Sequence, residues 1–187
     1  MLLLGLDIST SCTGFCVLNT KGDVLLLDYE DFKGCKGFWE KADRVEEKIK
    51  NILRRIKSQG RVERVFVEES LQKFRPGLSS AKTLTTLSKF NGIACYLVRS
   101  HTECSPEYLN VNTARKLVGL KVIRGKDTKE QVFEWVKEDK PLISYDWPKK
   151  ILKSGPRKGS EIVHPSCYDM SDAYVIAKAG LVNLLKN

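Results

Sequence analysis

Little in this sequence points toward a membrane or an oxidising compartment. No hydrophobic run is long enough to cross a bilayer, and the opening Met1-Leu2-Leu3-Leu4 has neither the basic n-region nor the cleavage site of a signal peptide. A soluble intracellular protein is expected. Six cysteines are present without a Cys-x-x-Cys pair, and several lie in apolar runs, which favours reduced, buried thiols over disulfides or a zinc cluster. There are only two histidines, His101 and His164, and His164 reads as a surface-loop residue. Internal repeats and low-complexity tracts are absent. Acidic residues are the minority, 23 against 32 Lys and Arg, leaving a formal charge of +9 and a pI near 9.2. That surplus suits a polyanion such as nucleic acid, and equally a ribosome-associated or membrane-surface protein. At 187 residues the chain can bury the core of one ordinary domain.

The chain is organised around Leu2-Leu3-Leu4-Gly5-Leu6-Asp7-Ile8-Ser9, an apolar run that reads as a central strand buried on both faces. Thr13–Leu18 and Val24–Asp28 read as two further strands joined by the turn Asn19-Thr20-Lys21-Gly22-Asp23, so the chain opens as an antiparallel meander. A helix is expected over Phe38–Lys57, with Trp39, Ala42, Val45, Ile49, Ile52, Leu53 and Ile56 on its apolar face and Gly60 ending it. Arg64–Glu69 reads as a short buried strand. A loop with Pro76-Gly77 then leads into a helix over Ser79–Val98, with Leu84, Leu87, Asn91, Ala94 and Leu97 in one stripe. Tyr108–Val111 fits a fifth strand, with Asn112 capping a short helix through Lys116. Asp127 and Glu130 have capping-box spacing ahead of a helix carrying Val132, Phe133 and Val136. Residues 141–165, rich in Pro, Gly, Lys and Arg, read as a long basic insertion within the single domain 1–187, and Tyr168–Leu185 as a final helix. The order βββαβαβα…α implies an α/β fold: a five-stranded mixed sheet with helices on both faces.

Carboxylates fall at four places that this order brings to one end of the sheet. Asp7 ends the first strand, Glu68 or Glu69 ends the fourth, and Asp169 and Asp172 share a face at the start of the last helix. Each has an ordinary explanation, since Asp7 could cap a turn, Asp169 could be a helix N-cap, and strand-end Glu residues could be solvated. Together they cannot all stay ionised without a cation between them. Hard oxygen ligands favour Mg2+ or Mn2+, and two such ions suit phosphodiester hydrolysis.

The run Leu4-Gly5-Leu6-Asp7-Ile8-Ser9, followed by Thr13-Gly14-Phe15, resembles the opening motif of RuvC-type Holliday junction resolvases, members of the RNase H-like superfamily. Val67-Glu68-Glu69 resembles their fourth-strand end, and Asp169-Met170-Ser171-Asp172-Ala173 their final helix. Ala114-Arg115, followed by Lys129-Glu130-Gln131-Val132, matches a further block in spacing and type. The resemblance implies a homodimer that binds a four-way DNA junction and nicks two strands symmetrically. Asp7, Glu68, Asp169 and Asp172 are then the metal-binding carboxylates, with Glu69 as alternative ligand. Lys129 is a charge-stabilising group at the reacting phosphate, or else a solvated lysine. The Ser79–Val98 helix is then a dimer element.

The chain departs from that pattern in several places. Val118 stands where bacterial members carry a basic residue, which leaves Lys116 or Lys121 as substitutes. Leu71 stands at the offset of the junction-wedging aromatic, with Phe74 nearby. The 141–165 insertion is longer than in typical bacterial members, which a phage, other viral or organellar relative accommodates; the compartment stays open accordingly. Phe74, Arg75, Arg115, Lys116, Lys121, Lys126, Lys149 and Lys150 are the DNA-contact candidates. Trp147 beside Lys149 and Lys150 is either a nucleic-acid contact or an anchor for the insertion. Three other readings compete. An actin-like kinase shares the first strand, but needs two such domains. A junction-binding protein that does not cut is one alternative, and a nuclease acting on RNA–DNA hybrids or other branched DNA is another.

Overall fold

Along the first strand, β1 (Leu2–Ile8), side chains divide by parity. Leu2, Leu4, Leu6 and Ile8 pack into one hydrophobic cluster, and Leu3 into another on the opposite face, which Gly5 and Asp7 share. The computed structural model describes residues 1–69 and 81–186. Strands β2 (Cys12–Asn19) and β3 (Val24–Asp31) complete the antiparallel meander, and β4 (Val62–Glu68) and β5 (Glu107–Leu109) add in parallel on the other side of β1. The sheet order is β3-β2-β1-β4-β5, the five-stranded mixed sheet that the order of elements implies.

Helices cover both faces. Helix α1 (Phe38–Ile56) buries Ala42, Val45, Ile49, Ile52 and Ile56 against the Leu2–Leu4–Leu6 face, together with Phe90, Ala94 and Val98 of α2 (Ala81–Thr102). The opposite face carries α3 (Val111–Leu117), α4 (Thr128–Glu138) and α5 (Ser166–Lys186). Helix α5 is buried on nearly all sides, which explains its continuous apolar run from Ala173 to Ala177.

Several boundaries differ from the sequence expectation. Trp39 is 69 % exposed, because the buried stripe of α1 begins one turn later. That helix stops at Ile56, and Gly60 (φ 140°) serves the turn into β4 instead. Strand β4 begins at Val62, leaving Glu69 just past its end. Leu84, Leu87 and Leu97 are only half-buried, and the α2 stripe runs through Phe90, Asn91, Ala94, Cys95 and Val98. Asn110, not Asn112, caps α3, its side chain accepting from the backbone N–H groups of Asn112 and Thr113. Asp127 caps α4 as expected, accepting from the N–H of Glu130 at 3.0 Å. The expected helix start at Ser79 and the residues Leu71, Phe74, Arg75, Pro76 and Gly77 lie outside the described residues.

The 141–165 stretch contains a 3₁₀ turn (Lys140–Leu142) and a two-stranded hairpin, β6 (Lys149–Ile151) with β7 (Glu161–Val163). Trp147 packs edge-on against Phe133 and Tyr145, and the Tyr145 hydroxyl donates to the Leu27 carbonyl at 2.9 Å. Trp147 thus anchors the segment to the α4 side of the core. All six cysteines are free. Among the described residues no helix is long and apolar enough to cross a membrane.

Candidate active site

Parity and register together place the carboxylates. Asp7 shares its face of β1 with Leu3 and Gly5, beneath α5. In the parallel pairing Leu6 lies beside Val67, so the next residues, Asp7 and Glu68, end neighbouring strands. Phe66 packs in the α5-side cluster, so alternation gives Glu68 that face and carries Glu69 off it. Helix α5 supplies the other two. Asp169 is the fourth residue of that helix rather than its N-cap, and Asp172 follows one turn on; they are 9 % and 6 % exposed.

The helix can come this close because β2 has no side chain at Gly14, which pairs with Asp7. A Cβ there would run into the backbone carbonyl of Asp169, and one on Gly5 would lie 2.6 Å from the Ala173 carbonyl oxygen. The turn from β1 to β2 is closed by Ser9, whose Oγ accepts from the Cys12 N–H at 3.1 Å and donates to the Cys12 carbonyl at 2.7 Å.

Asp7, Glu68, Asp169 and Asp172 line one open cavity of about 340 Å³, with Ser9, Ser11, Glu69, Leu87, Arg115 and Lys129. Burial raises the Asp7 carboxyl well above the usual carboxylate range, and the charges of Glu68, Asp172 and Asp169 raise it further. Glu68 is pushed up to about 7, first by burial and then by Asp172. Burial also raises Asp169 and Asp172, opposed by Lys129 and Arg115 respectively. Two cations answer the crowding. An Arg115 guanidinium nitrogen lies 3.3 Å from Asp172, with both side chains largely buried, and Lys129 Nζ lies 3.7 Å from Asp169. Burial works against the charge on Lys129, but the pull of Asp169, Asp7 and Asp172 together raises its pKa.

The chemistry of this donor set fits a hard divalent cation: four carboxylates crowded enough to resist joint ionisation. Its geometry is looser. Among the described residues no three His, Cys, Asp or Glu side chains are gathered tightly enough to hold an ion as they stand. Arg115 and Lys129 occupy Asp172 and Asp169 instead, and Arg115 Nε is buried with no acceptor among the described residues.

Of the expected DNA-contact residues, Arg115 lies inside the site as the partner of Asp172. Lys116 is exposed on α3, and Lys121 and Lys126 line a separate cavity along α4. Lys149 is paired with Glu161 at 2.9 Å, while Lys150 lines a cavity that adjoins the carboxylates. Sequence reasoning passed over Cys12, which lines the adjoining cavity together with Asp169. Its parity with Gly14 along β2 was the available signal. His164 is half-buried and stacks on Tyr29 with ring centroids 5.3 Å apart, so it is not the plain surface residue expected.

No protein-family model matches this chain, and no curated protein sequence matches it. Among solved structures, RuvC from Thermus thermophilus in complex with a Holliday junction substrate is similar over 100 % of this chain and 96 % of its own, at 15 % identity and TM-score 0.68. RuvC from the same organism in a second structure gives 18 % identity over the same shares, with TM-score 0.62. The yeast mitochondrial Holliday junction resolvase Ydc2 is similar over 96 % of this chain and 77 % of its own, at 16 % identity and TM-score 0.52. The architecture that positions the four carboxylates is therefore the RNase H-like fold that RuvC also has.

Proposed function

We propose that this chain is a divalent-metal-dependent endodeoxyribonuclease that acts on branched DNA, nicking four-way junctions symmetrically as a homodimer. The observation that carries this reading is the convergence of Asp7, Glu68, Asp169 and Asp172 on one open cavity, each with its carboxyl pKa raised. Such a cluster is poorly stable unless a cation joins it. Mg2+ or Mn2+, up to two ions, would be held by these four residues, with Glu69 at the rim as the alternative donor. The metal would supply an activated water and charge stabilisation at the leaving oxygen. Lys129, 59 % exposed beside Asp169, is placed to meet a phosphate oxygen entering the cavity. Arg115 holds Asp172 until a cation competes for it.

The fold shared with RuvC and Ydc2, one solved with a Holliday junction substrate and the other described as a Holliday junction resolvase, supports branched DNA as substrate. The surplus charge of +9 suits the same partner. The test is cleavage of a labelled four-way junction, a linear duplex and an RNA–DNA hybrid in magnesium, by wild type and Asp172→Asn. Paired nicks in the junction alone, absent in the variant, are expected. Preferential cutting of the hybrid would retain the metals and discard the substrate. Binding without cutting in either magnesium or manganese would mean a non-catalytic junction-binding protein.

A further inference from the structure

Beside the carboxylates, and sharing Ser11, Lys129 and Asp169 with them, opens a second cavity of about 360 Å³. Three elements far apart in sequence each bring a lysine to its wall: Lys33 just beyond β3, Lys129 in the first turn of α4, and Lys150 in the middle of β6. Lys150 arrives there through the parity of the hairpin. Lys149, Ile151, Glu161 and Val163 are exposed, whereas Lys150 and its cross-strand partner Ile162 are half-buried on the inner face. The base of the hairpin is fixed to the start of α5. His164 donates its backbone N–H to the Pro148 carbonyl at 2.8 Å, and its Nδ1 lies 2.7 Å from Ser166 Oγ.

The charges in this cavity are unevenly matched. Lys149 is neutralised by Glu161, but neither Lys33 nor Lys150 enters an ion pair with a described residue. Asp31 and Asp169 face the three ammonium groups. Asp31 already accepts the backbone N–H of Lys33 at 2.8 Å, and Asp169 has Lys129 nearby. One positive charge is left over, which is the charge a single phosphodiester neutralises.

We propose that this cavity binds the DNA phosphate next to the one that is cut, with Lys33 and Lys150 as positioning residues. The assignment rests on the endonuclease reading of the adjoining carboxylates. Lys129 and Asp169 belong to both cavities, so consecutive phosphates of one strand occupy them in turn. The basic hairpin, an insertion by sequence, thereby becomes part of the substrate channel.

The test is equilibrium binding of a four-way junction in EDTA, with a neutral methylphosphonate placed in turn at each linkage around the cut. Wild type, Lys33→Gln, Lys150→Gln and Lys150→Arg are compared, and single-turnover cleavage is followed in magnesium. For wild type, one neutral linkage beside the cut is expected to weaken binding roughly tenfold. Lys150→Gln should lose about as much on natural DNA, be indifferent to that one linkage, and show a salt slope smaller by about 1. Lys33→Gln should behave alike, and Lys150→Arg should restore binding. Losses that multiply at every linkage, or variants that bind as wild type does, would overturn the assignment. Wild type that binds and obeys this pattern at one linkage without cutting removes the nuclease reading and the assignment beside a cut, and leaves only a phosphate-binding cavity; no DNA binding at all removes that as well.

Discussion

Arg115 and Asp172 form the most enclosed ion pair in the site, their side chains 16 % and 8 % exposed. Removing one partner of such a pair leaves the other charge in low dielectric, and that penalty exceeds what the pair itself contributes. Arg115→Met should therefore destabilise the metal-free protein by about 1–3 kcal/mol. The loss should depend on pH in a definite sense. Without the guanidinium, the already raised pKa of Asp172 rises further. A carboxyl whose folded pKa exceeds its unfolded value keeps the fold's stability below the unfolded pKa and loses it as pH rises through the folded one. Urea denaturation should show a small difference between variant and wild type near pH 4 and the full difference near pH 8. An equal penalty at both pH values would mean that the loss is one of packing. Asp7→Asn separates chemistry from binding in the same cavity. It is nearly isosteric and removes one of the crowded charges, so junction cleavage should fall about a thousandfold or more. Junction affinity should stay within about threefold by gel shift, and loss of both together would count against a direct role for Asp7.

Helix α5 carries half of the carboxylate set, and its height above the sheet is fixed by glycines. Gly14 admits the Asp169 backbone, Gly5 admits Ala173 and Ala177, and Gly180 lies against Phe66. A methyl group at position 14 would meet backbone, which cannot swing aside as a flexible side chain can. Gly14→Ala should cost about 2–3 kcal/mol. It should also lift the start of α5, so that cleavage falls further than the loss of stability accounts for. Gly92 in the exposed part of α2 is the control, since a Cβ there meets no described residue within 4 Å. Gly92→Ala should raise stability by about 0.5–1 kcal/mol through helix propensity. A Gly14→Ala protein with wild-type stability and activity would show that α5 is not held by this contact.

The same elements show what the sequence made legible. Gly14 could be placed on its strand from the apolar run around it, but not beneath a helix turn, because close approach depends on tertiary packing. The choice between Glu68 and Glu69 has a similar cause. Parity along β4 separates the two residues, but only the parallel register of Leu6 beside Val67 shows which of them shares a face with Asp7. Strands β6 and β7 have three residues each, too few for alternation to stand out among the prolines and lysines. Arg115, singled out by the Ala114-Arg115 block of the family resemblance and counted among the DNA contacts, is turned inward by α3, whose Ala114 is fully buried. Long periodic elements such as α1 and the opening meander were readable as elements, though not residue by residue: Trp39, expected on the apolar face of α1, is exposed.

At the scale of the molecule, one end of the sheet concentrates negative charge within a chain of formal charge +9. This makes the stability of the whole fold a reporter on the site. The raised carboxyl pKa of Glu68, about 7, and those of Asp7, Asp169 and Asp172 all act in one direction. Below the unfolded carboxylate range they cost nothing, and as pH rises through the folded values each ionised group weakens the metal-free fold. Protonation elsewhere on a basic chain also varies with pH, so the informative quantity is a difference between variants. In EDTA, Asp7→Asn should melt higher than wild type at pH 8, on the order of 5 °C for a chain of this size, with the gap closing toward pH 4.5. Magnesium should act in the opposite sense. At pH 8 a concentration 100 times its Kd stabilises by about 2.7 kcal/mol, which should raise the melting temperature of wild type and leave Asp7→Asn nearly unmoved. Near pH 5 protons compete for the same oxygens, and the magnesium effect should shrink for both. If wild type melts at the same temperature with and without magnesium or manganese at pH 8, the cluster does not hold a cation in the free protein. The metal would then have to enter with the DNA, whose phosphate oxygens complete the ligand set that Arg115 and Lys129 keep apart. Repeating the melt with an uncleavable junction would show the metal-dependent rise only in the ternary mixture.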